Sequence, residues 1–113
     1  MLSPGAMIIF DDCDLDAVVD WAMVGIFSCA GQVCSATSRL LVHAPLHDEL
    51  VRRLLAAVAR VRTGDPLLEA TQMGPLVSAA QKAKVMGAIE AAVGGGAQLL
   101  MGGGEVQAPG LGG

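Results

Sequence analysis

The stretch MIIFDDCDLDAVVDWAMVGIF, residues 7–27, contains a strand signal followed at once by a helix signal. Residues 7–10 are a short apolar run rich in β-forming side chains, which predicts a buried strand. Asp14 is a good N-cap, and the apolar residues behind it keep the i, i+3, i+4 spacing of a buried helix face that fades near Gly31. Those apolar residues are Leu15, Val18, Val19, Ala22, Met23, Ile26 and Phe27. The stretch therefore predicts a strand that leads directly into a helix.

The same pattern recurs further along the chain. Residues 39–43 predict a second strand, which is followed by Pro45. Residues 46–61 then return to helical spacing, with arginines on the outward face. Two strand-and-helix pairs in succession are typical of α/β folds.

The second half of the chain is richer in turn signals. A turn is predicted at residues 64–66, and Ser78 is predicted to cap a third helix that the glycines 94–96 end. Residues 97–101 are a candidate for a third strand. The order β, α, β, α, α, β predicts an α/β fold with parallel strands.

Composition restricts the classes of function. The 113 residues are 53% hydrophobic with a net charge of −4, and the seven basic residues form no dense run, which argues against a nucleic-acid partner. The charged residues are expected to form mixed, solvated faces. Residues 21–38 are uncharged but contain serines, a threonine and a glutamine, so we expect an interior or cleft segment and no membrane span.

Three cysteines are present, at positions 13, 29 and 34. This odd number has neither metal-ligand spacing nor a C-x-x-C pair, so we expect reduced thiols in an intracellular protein and no metal site. The N-terminal residues lack the basic region of a secretory signal.

Cys34 is the strongest candidate for a reactive residue in this chain. It lies between a predicted helix and a predicted strand, where loops of α/β folds carry function. A cysteine nucleophile needs an approachable thiolate, and the small neighbours Gly31, Ser35 and Ala36 leave room for a carbonyl and for backbone N–H groups. From the residues alone, a small buried apolar thiol is the favoured interpretation, and a catalytic Cys34 stays open beside it.

The pattern Phe27-x-x-x-Gly31-Gln32-Val33-Cys34 resembles the cysteine motif of the aldehyde dehydrogenase superfamily. Residues 35–43 are similar to the plant-type betaine aldehyde and aminoaldehyde dehydrogenases in particular, and residues 8–16, 64–66 and 74–78 match other family motifs in order. The resemblance implies an α/β, parallel-sheet, partial catalytic domain over residues 1–101. It places the nucleophile loop at residues 28–38 and leaves a glycine-rich tail at residues 102–113.

The resemblance also implies a mechanism. Cys34 would attack an aldehyde, NAD(P)+ would take the hydride, and the acid would form through a thiohemiacetal and a thioester on Cys34. The Cys34 N–H would be one oxyanion donor, whereas the family's asparagine donor, its glutamate base and most of the NAD(P)+ site lie outside this chain. The substrate would be a small-molecule aldehyde, and full-length family members would be homo-oligomers. This fragment alone is expected to be inactive.

Two departures narrow the substrate. Ser28 stands where plant betaine aldehyde dehydrogenases place an aromatic residue that encloses trimethylammonium, and Ala30 replaces a common asparagine. Betaine aldehyde and other aldehydes therefore stay open.

Two further hypotheses compete with catalysis by this family. One is a non-catalytic truncated or decayed paralogue that at most packs against a partner. The other is an unrelated thiol enzyme that uses His43 or His47 as its base, although solvated or capping roles are expected for both histidines. Cys29 is expected to be a packed or spare thiol. The carboxylates on either side of Cys13 are expected to lower the reactivity of its thiol. Trp21 is expected to lie in the core.

Overall fold

The computed structural model describes residues 5–105. The chain divides into two compact units, residues 1–62 and residues 63–113. The first contains strand β1 (Ala6–Ile9), helix α1 (Leu15–Phe27), strand β2 (Arg39–Val42) and helix α2 (His47–Val58), with a short left-handed turn at Ser28–Gly31 and a 3-10 turn at Ala44–Leu46. The second contains helix α3 (Ala79–Gly94).

Strands β1 and β2 pair in parallel, as the sequence predicts, with Ala6 opposite Arg39 and Ile9 opposite Val42. The prediction of a buried first strand holds for one face only. Ile9 is only 3% exposed, but Ile8 is 63% exposed. Successive side chains of a strand point to opposite faces, so only one face of the sheet meets the helices.

Helix α1 begins as predicted. The side chain of Asp14 accepts hydrogen bonds from the backbone N–H groups of Asp16 at 2.9 Å and Ala17 at 3.5 Å. Val19 and Ala22 are its buried residues. The helix ends at Phe27, earlier than predicted, because the next turn is left-handed.

The prediction that Trp21 lies in the core is wrong, since its side chain is 67% exposed. At about 100° per residue, Trp21 projects roughly 200° from Val19, so it leaves the buried face of α1. Its apolar character does not change that angle.

The core of the first unit lies where α1, α2 and β1 meet. Leu50 of α2 is 1% exposed and clusters with Ile9, Val19 and Ala57. Helix α2 is shorter than the predicted 46–61, because residues 44–46 form a 3-10 turn with Pro45 near its start and the chain turns again after Val58.

In the second unit, Ser78 caps α3 as predicted, and its hydroxyl accepts from the N–H of Gln81 at 3.1 Å. The turn at residues 64–66 is confirmed, since the side chain of Asp65 accepts from the N–H of Leu67 at 2.9 Å. Thr63 forms an isolated parallel bridge with Met73.

The predicted strand at residues 97–101 is wrong. Gly96 has φ +97°, and the N–H of Ala97 donates to the carbonyl of Ala92 at 3.0 Å, so the chain folds back on the end of α3. Residues 97–101 have no strand partner within the described part of this unit. Further on, Lys82 and Glu105 form an ion pair at 2.8 Å. Most of the predicted tail, residues 106–113, lies outside the described residues.

No helix within residues 5–105 is long and apolar enough to cross a membrane.

Candidate active site

Cys34 sits at the corner of a tight turn between α1 and β2. The N–H of Ala36 donates to the carbonyl of Val33 at 3.1 Å, which closes the turn around Cys34 and Ser35. The Cys34 side chain is exposed and its thiol is free. The interpretation of a buried apolar thiol is therefore wrong, and the sulfur can be approached from solvent.

The backbone N–H of Cys34 donates no hydrogen bond to any residue between 5 and 105. An unpaired N–H beside an approachable sulfur can stabilise negative charge that develops on an oxygen bound near that sulfur. The turn therefore offers a nucleophile and one oxyanion donor from the same residue.

A left-handed turn separates α1 from the segment that carries Cys34. Cys29, Ala30 and Gly31 have φ values of 50°, 55° and 74°. The carbonyl oxygen of Cys29 accepts from the backbone N–H of Gln32 at 3.1 Å and from its side-chain Nε2 at 3.0 Å. Left-handed backbone costs about 1 kcal/mol or more at a residue with a side chain, so these bonds stabilise a conformation that Cys29 and Ala30 disfavour.

The other end of the segment is tethered to α1. The N–H of Thr37 donates to the carbonyl oxygen of Gly25 at 3.0 Å, and Ala36 is only 5% exposed. A Cβ on Gly25 would stand 2.1 Å from Oγ1 of Thr37. Sequence reasoning missed this contact, although an isolated glycine inside a helical pattern is a signal of close packing.

The two other cysteines have different surroundings. Cys29 is exposed, which excludes the packed role and leaves it a spare thiol. Cys13 is half-buried and packs against the core cluster around Leu50.

The histidines are exposed, as expected for solvated side chains, and each lies near a carboxylate. Nδ1 of His43 is 3.6 Å from Oδ2 of Asp11, and Nδ1 of His47 is 2.8 Å from Oδ1 of Asp48. Neither histidine hydrogen-bonds Cys34 in the part of the chain that is described. The same residues contain no group of three side chains able to hold a metal ion.

The described residues do not fit the pyrophosphate of a dinucleotide. Such a site needs a strand, a glycine-rich turn and a helix N-terminus. The turn from β1 to α1 instead carries Asp11, Asp12 and Asp14, whose charges would repel phosphate. The glycines after α3 follow the carboxyl end of a helix, which disfavours anions. We therefore assign the phosphate site to none of residues 5–105.

Comparison with known proteins shows which family this chain resembles. The model of the aldehyde dehydrogenase family matches residues 3–112. The betaine aldehyde dehydrogenase of Brucella anthropi is 48% identical over 98 residues, which is 87% of this chain and 20% of that protein.

Solved structures agree with the family model. The NAD-dependent aldehyde dehydrogenase of Sinorhizobium meliloti superposes with a TM-score of 0.88 at 42% identity, over 91% of this chain and 20% of the other. The betaine aldehyde dehydrogenase of Staphylococcus aureus, solved with NAD+, gives a TM-score of 0.87 at 36% identity, over 89% of this chain and 20% of the other.

The chain belongs to the aldehyde dehydrogenase family. Its expected α/β fold is confirmed, and so is its similarity to betaine aldehyde dehydrogenases, here with bacterial members. The chain spans about one fifth of the length of the relatives it matches.

Proposed function

We propose that this chain supplies the nucleophile segment of an aldehyde dehydrogenase, with Cys34 as the nucleophile. The observation that carries the proposal is the turn at Cys34, which presents an exposed, free thiol together with its own unpaired backbone N–H. Membership of a family that oxidises aldehydes supplies the reaction class.

The chemistry assigned to this chain is the addition step. The exposed thiol of Cys34 gives its proton to solvent water, the thiolate sulfur bonds to the carbonyl carbon of the aldehyde, and the π electron pair of the carbonyl moves to its oxygen. The resulting oxyanion accepts a hydrogen bond from the N–H of Cys34. The oxidation that follows needs a nicotinamide nucleotide as oxidant, and the described residues take no part in binding its phosphates.

We propose betaine aldehyde as the first substrate to test, because several relatives are named as betaine aldehyde dehydrogenases. The nucleophile loop itself, residues 28–38, contains no charged and no aromatic side chain. Recognition of a trimethylammonium group would therefore come from other parts of the enzyme. Because all three cysteines are free, we also propose a reducing, intracellular compartment.

Brief alkylation of the native chain tests the proposed nucleophile. A pulse of iodoacetamide followed by peptide mass mapping gives a labelling rate for each cysteine in one sample. We expect Cys34 to react first, Cys29 to follow as an ordinary exposed thiol, and Cys13 to react last because it packs against the core. Cys13 or Cys29 reacting ahead of Cys34 in folded protein would contradict the proposal and favour a non-catalytic chain.

A further inference from the structure

Helix α1 and the segment behind Cys34 meet at one close contact, between Gly25 and Thr37. Gly25 lies in the last turn of α1, where the backbone carbonyl groups have no N–H partner within the helix. The N–H of Thr37 donates to the carbonyl of Gly25 at 3.0 Å and so satisfies one of them. The backbone of the segment is thereby fixed to the helix at a point three residues beyond Cys34.

The side chain of Thr37 occupies the space that a side chain at position 25 would need. A Cβ on Gly25 would lie 2.1 Å from Oγ1, 3.4 Å from Cβ and 3.7 Å from Cγ2 of Thr37. Real Cβ atoms do not approach another atom to 2.1 Å, so either the Thr37 side chain or its backbone would have to move.

The hydroxyl of Thr37 adds no hydrogen bond to its contact with α1. Its Oγ1 is buried and has no hydrogen-bond partner among the described residues. A buried hydroxyl without a partner destabilises a fold. Because this hydroxyl makes no hydrogen bond, the Thr37 side chain is held against α1 by packing and by the backbone bond to Gly25. In the first unit, the Thr37 side chain therefore packs so closely against position 25 that only glycine fits there.

Displacement of Thr37 would be transmitted to Cys34. Ala36, between them, is buried, and its N–H closes the turn that contains Cys34 through the carbonyl of Val33. The turn has one hydrogen bond of its own, and the tether at Thr37 follows directly.

We propose that Gly25 is a positioning residue for Cys34: its missing side chain lets Thr37 seat against α1, which holds the turn that presents the Cys34 sulfur beside its unpaired N–H. This inference rests on the proposed function, since it assigns a purpose to the geometry of the nucleophile. It concerns the contact between α1 and the segment, and no other part of the enzyme.

The test compares labelling rates of Cys34 and Cys13 in the same molecules by iodoacetamide pulse and peptide mapping. In Gly25→Ala we expect the Cys34-to-Cys13 rate ratio to fall by about threefold or more, the effect expected for residues in direct contact. Thr37→Ala leaves a gap against α1, and we expect a fall of the same sign. Gly87→Ala is the matched control, because a Cβ at Gly87 in α3 meets nothing within 4 Å.

Double variants separate positioning from a general loss of stability. In Gly25→Ala/Thr37→Ala the new methyl group fills the space vacated by Thr37, so we expect the ratio to return to that of the unsubstituted chain. In Gly25→Ala/Thr37→Val a methyl group remains where Oγ1 stood, so we expect no recovery. Unfolding would instead raise the Cys13 rate, because Cys13 packs against the core.

Failure of this inference and failure of the proposed function give different results. If Cys34 of the unsubstituted chain is no faster than Cys13, the nucleophile assignment is wrong. If Cys34 is fast but Gly25→Ala behaves like Gly87→Ala, the positioning role is wrong. If Gly25→Ala does not fold, the Thr37→Ala ratio decides: an unchanged ratio overturns the proposal and a lower one supports it.

Discussion

Arg53 of α2 donates a hydrogen bond from Nη1 to Oδ1 of Asp16 on α1 at 2.5 Å, across 37 residues of sequence. Its Nε also donates to Oε1 of Glu49 at 2.7 Å. Arg52 completes the network with two bonds to the same Glu49 carboxylate, at 2.8 and 2.6 Å. The solvated faces of mixed charge predicted from the sequence are therefore confirmed, and one of them links two helices of the first unit.

This network makes stability depend on pH in the acid range. Hydrogen bonds from Arg52 and then Arg53 lower the pKa of Glu49 from 4.5 to about 2. A carboxyl group with a lowered pKa stabilises the fold above its unfolded pKa, and that contribution is lost as the pH falls from about 4.5 to about 2. In Glu49→Gln we expect a weaker pH dependence of the urea midpoint over this range. Glu90→Gln in α3 is the control, and an effect as large as that of Glu49→Gln would contradict the assignment.

The left-handed turn before Cys34 predicts an unusual gain from glycine. Ala30 has φ 55°, which glycine adopts without strain. We expect Ala30→Gly to raise the free energy of unfolding by about 0.5–1 kcal/mol. The same change at exposed Ala56 inside α2 is expected to lower it by about 0.5–1 kcal/mol. Urea unfolding followed by Trp21 fluorescence measures both, and equal signs would show that residue 30 is not left-handed in solution.

The core of the first unit depends on Leu50. This side chain is 1% exposed, so Leu50→Ala is expected to cost about 3 kcal/mol through lost burial and the remaining cavity. Leu67→Ala removes the same atoms from a side chain that is 90% exposed, and we expect a change within about 0.5 kcal/mol. Similar losses for the two variants in urea unfolding would place the core elsewhere.

Local signals in the sequence identified much of the fold. The caps at Asp14 and Ser78 are confirmed because a cap depends on residues only a few positions apart. The parallel pairing of β1 and β2 is confirmed because a helix between two strands favours a parallel crossover. The prediction of a strand at residues 97–101 was wrong because a strand needs a second strand to pair with, and apolar periodicity does not supply one. The prediction for Trp21 was wrong because the position of a residue along the helix, and not its hydrophobicity, sets the face on which it lies.

The candidate site divides in the same way. The motif around Cys34 was found from residue types, and exposure of its thiol agrees with a nucleophile. The left-handed turn at Cys29 and Ala30 and the contact of Gly25 with Thr37 join residues of the loop and the helix in three dimensions. Residue types do not encode the backbone angles at Cys29 and Ala30, so that turn was not predicted. The isolated glycine at position 25 signals close packing but does not identify Thr37 as its partner.

The purified 113-residue chain is expected to produce no NADH from NAD+ and a panel of aldehydes above a Cys34→Ala control. It has no asparagine, the residue that the family resemblance implies as the second oxyanion donor, and catalytic groups that act as a unit lose nearly all activity when one of them is missing. Turnover that depends on Cys34 would show that the chain is sufficient by itself.

The most direct test of Cys34 as the nucleophile is turnover in a complete enzyme. The matching stretch of the Brucella anthropi relative, 98 residues at 48% identity, is replaced by that of this chain, and NADH formation from betaine aldehyde is followed. We expect the chimera to turn over, Cys29→Ala to retain its rate within about twofold, and Cys34→Ala to lose about three orders of magnitude or more. Undiminished turnover in Cys34→Ala, or a folded chimera that binds NAD+ without any turnover, would contradict the account.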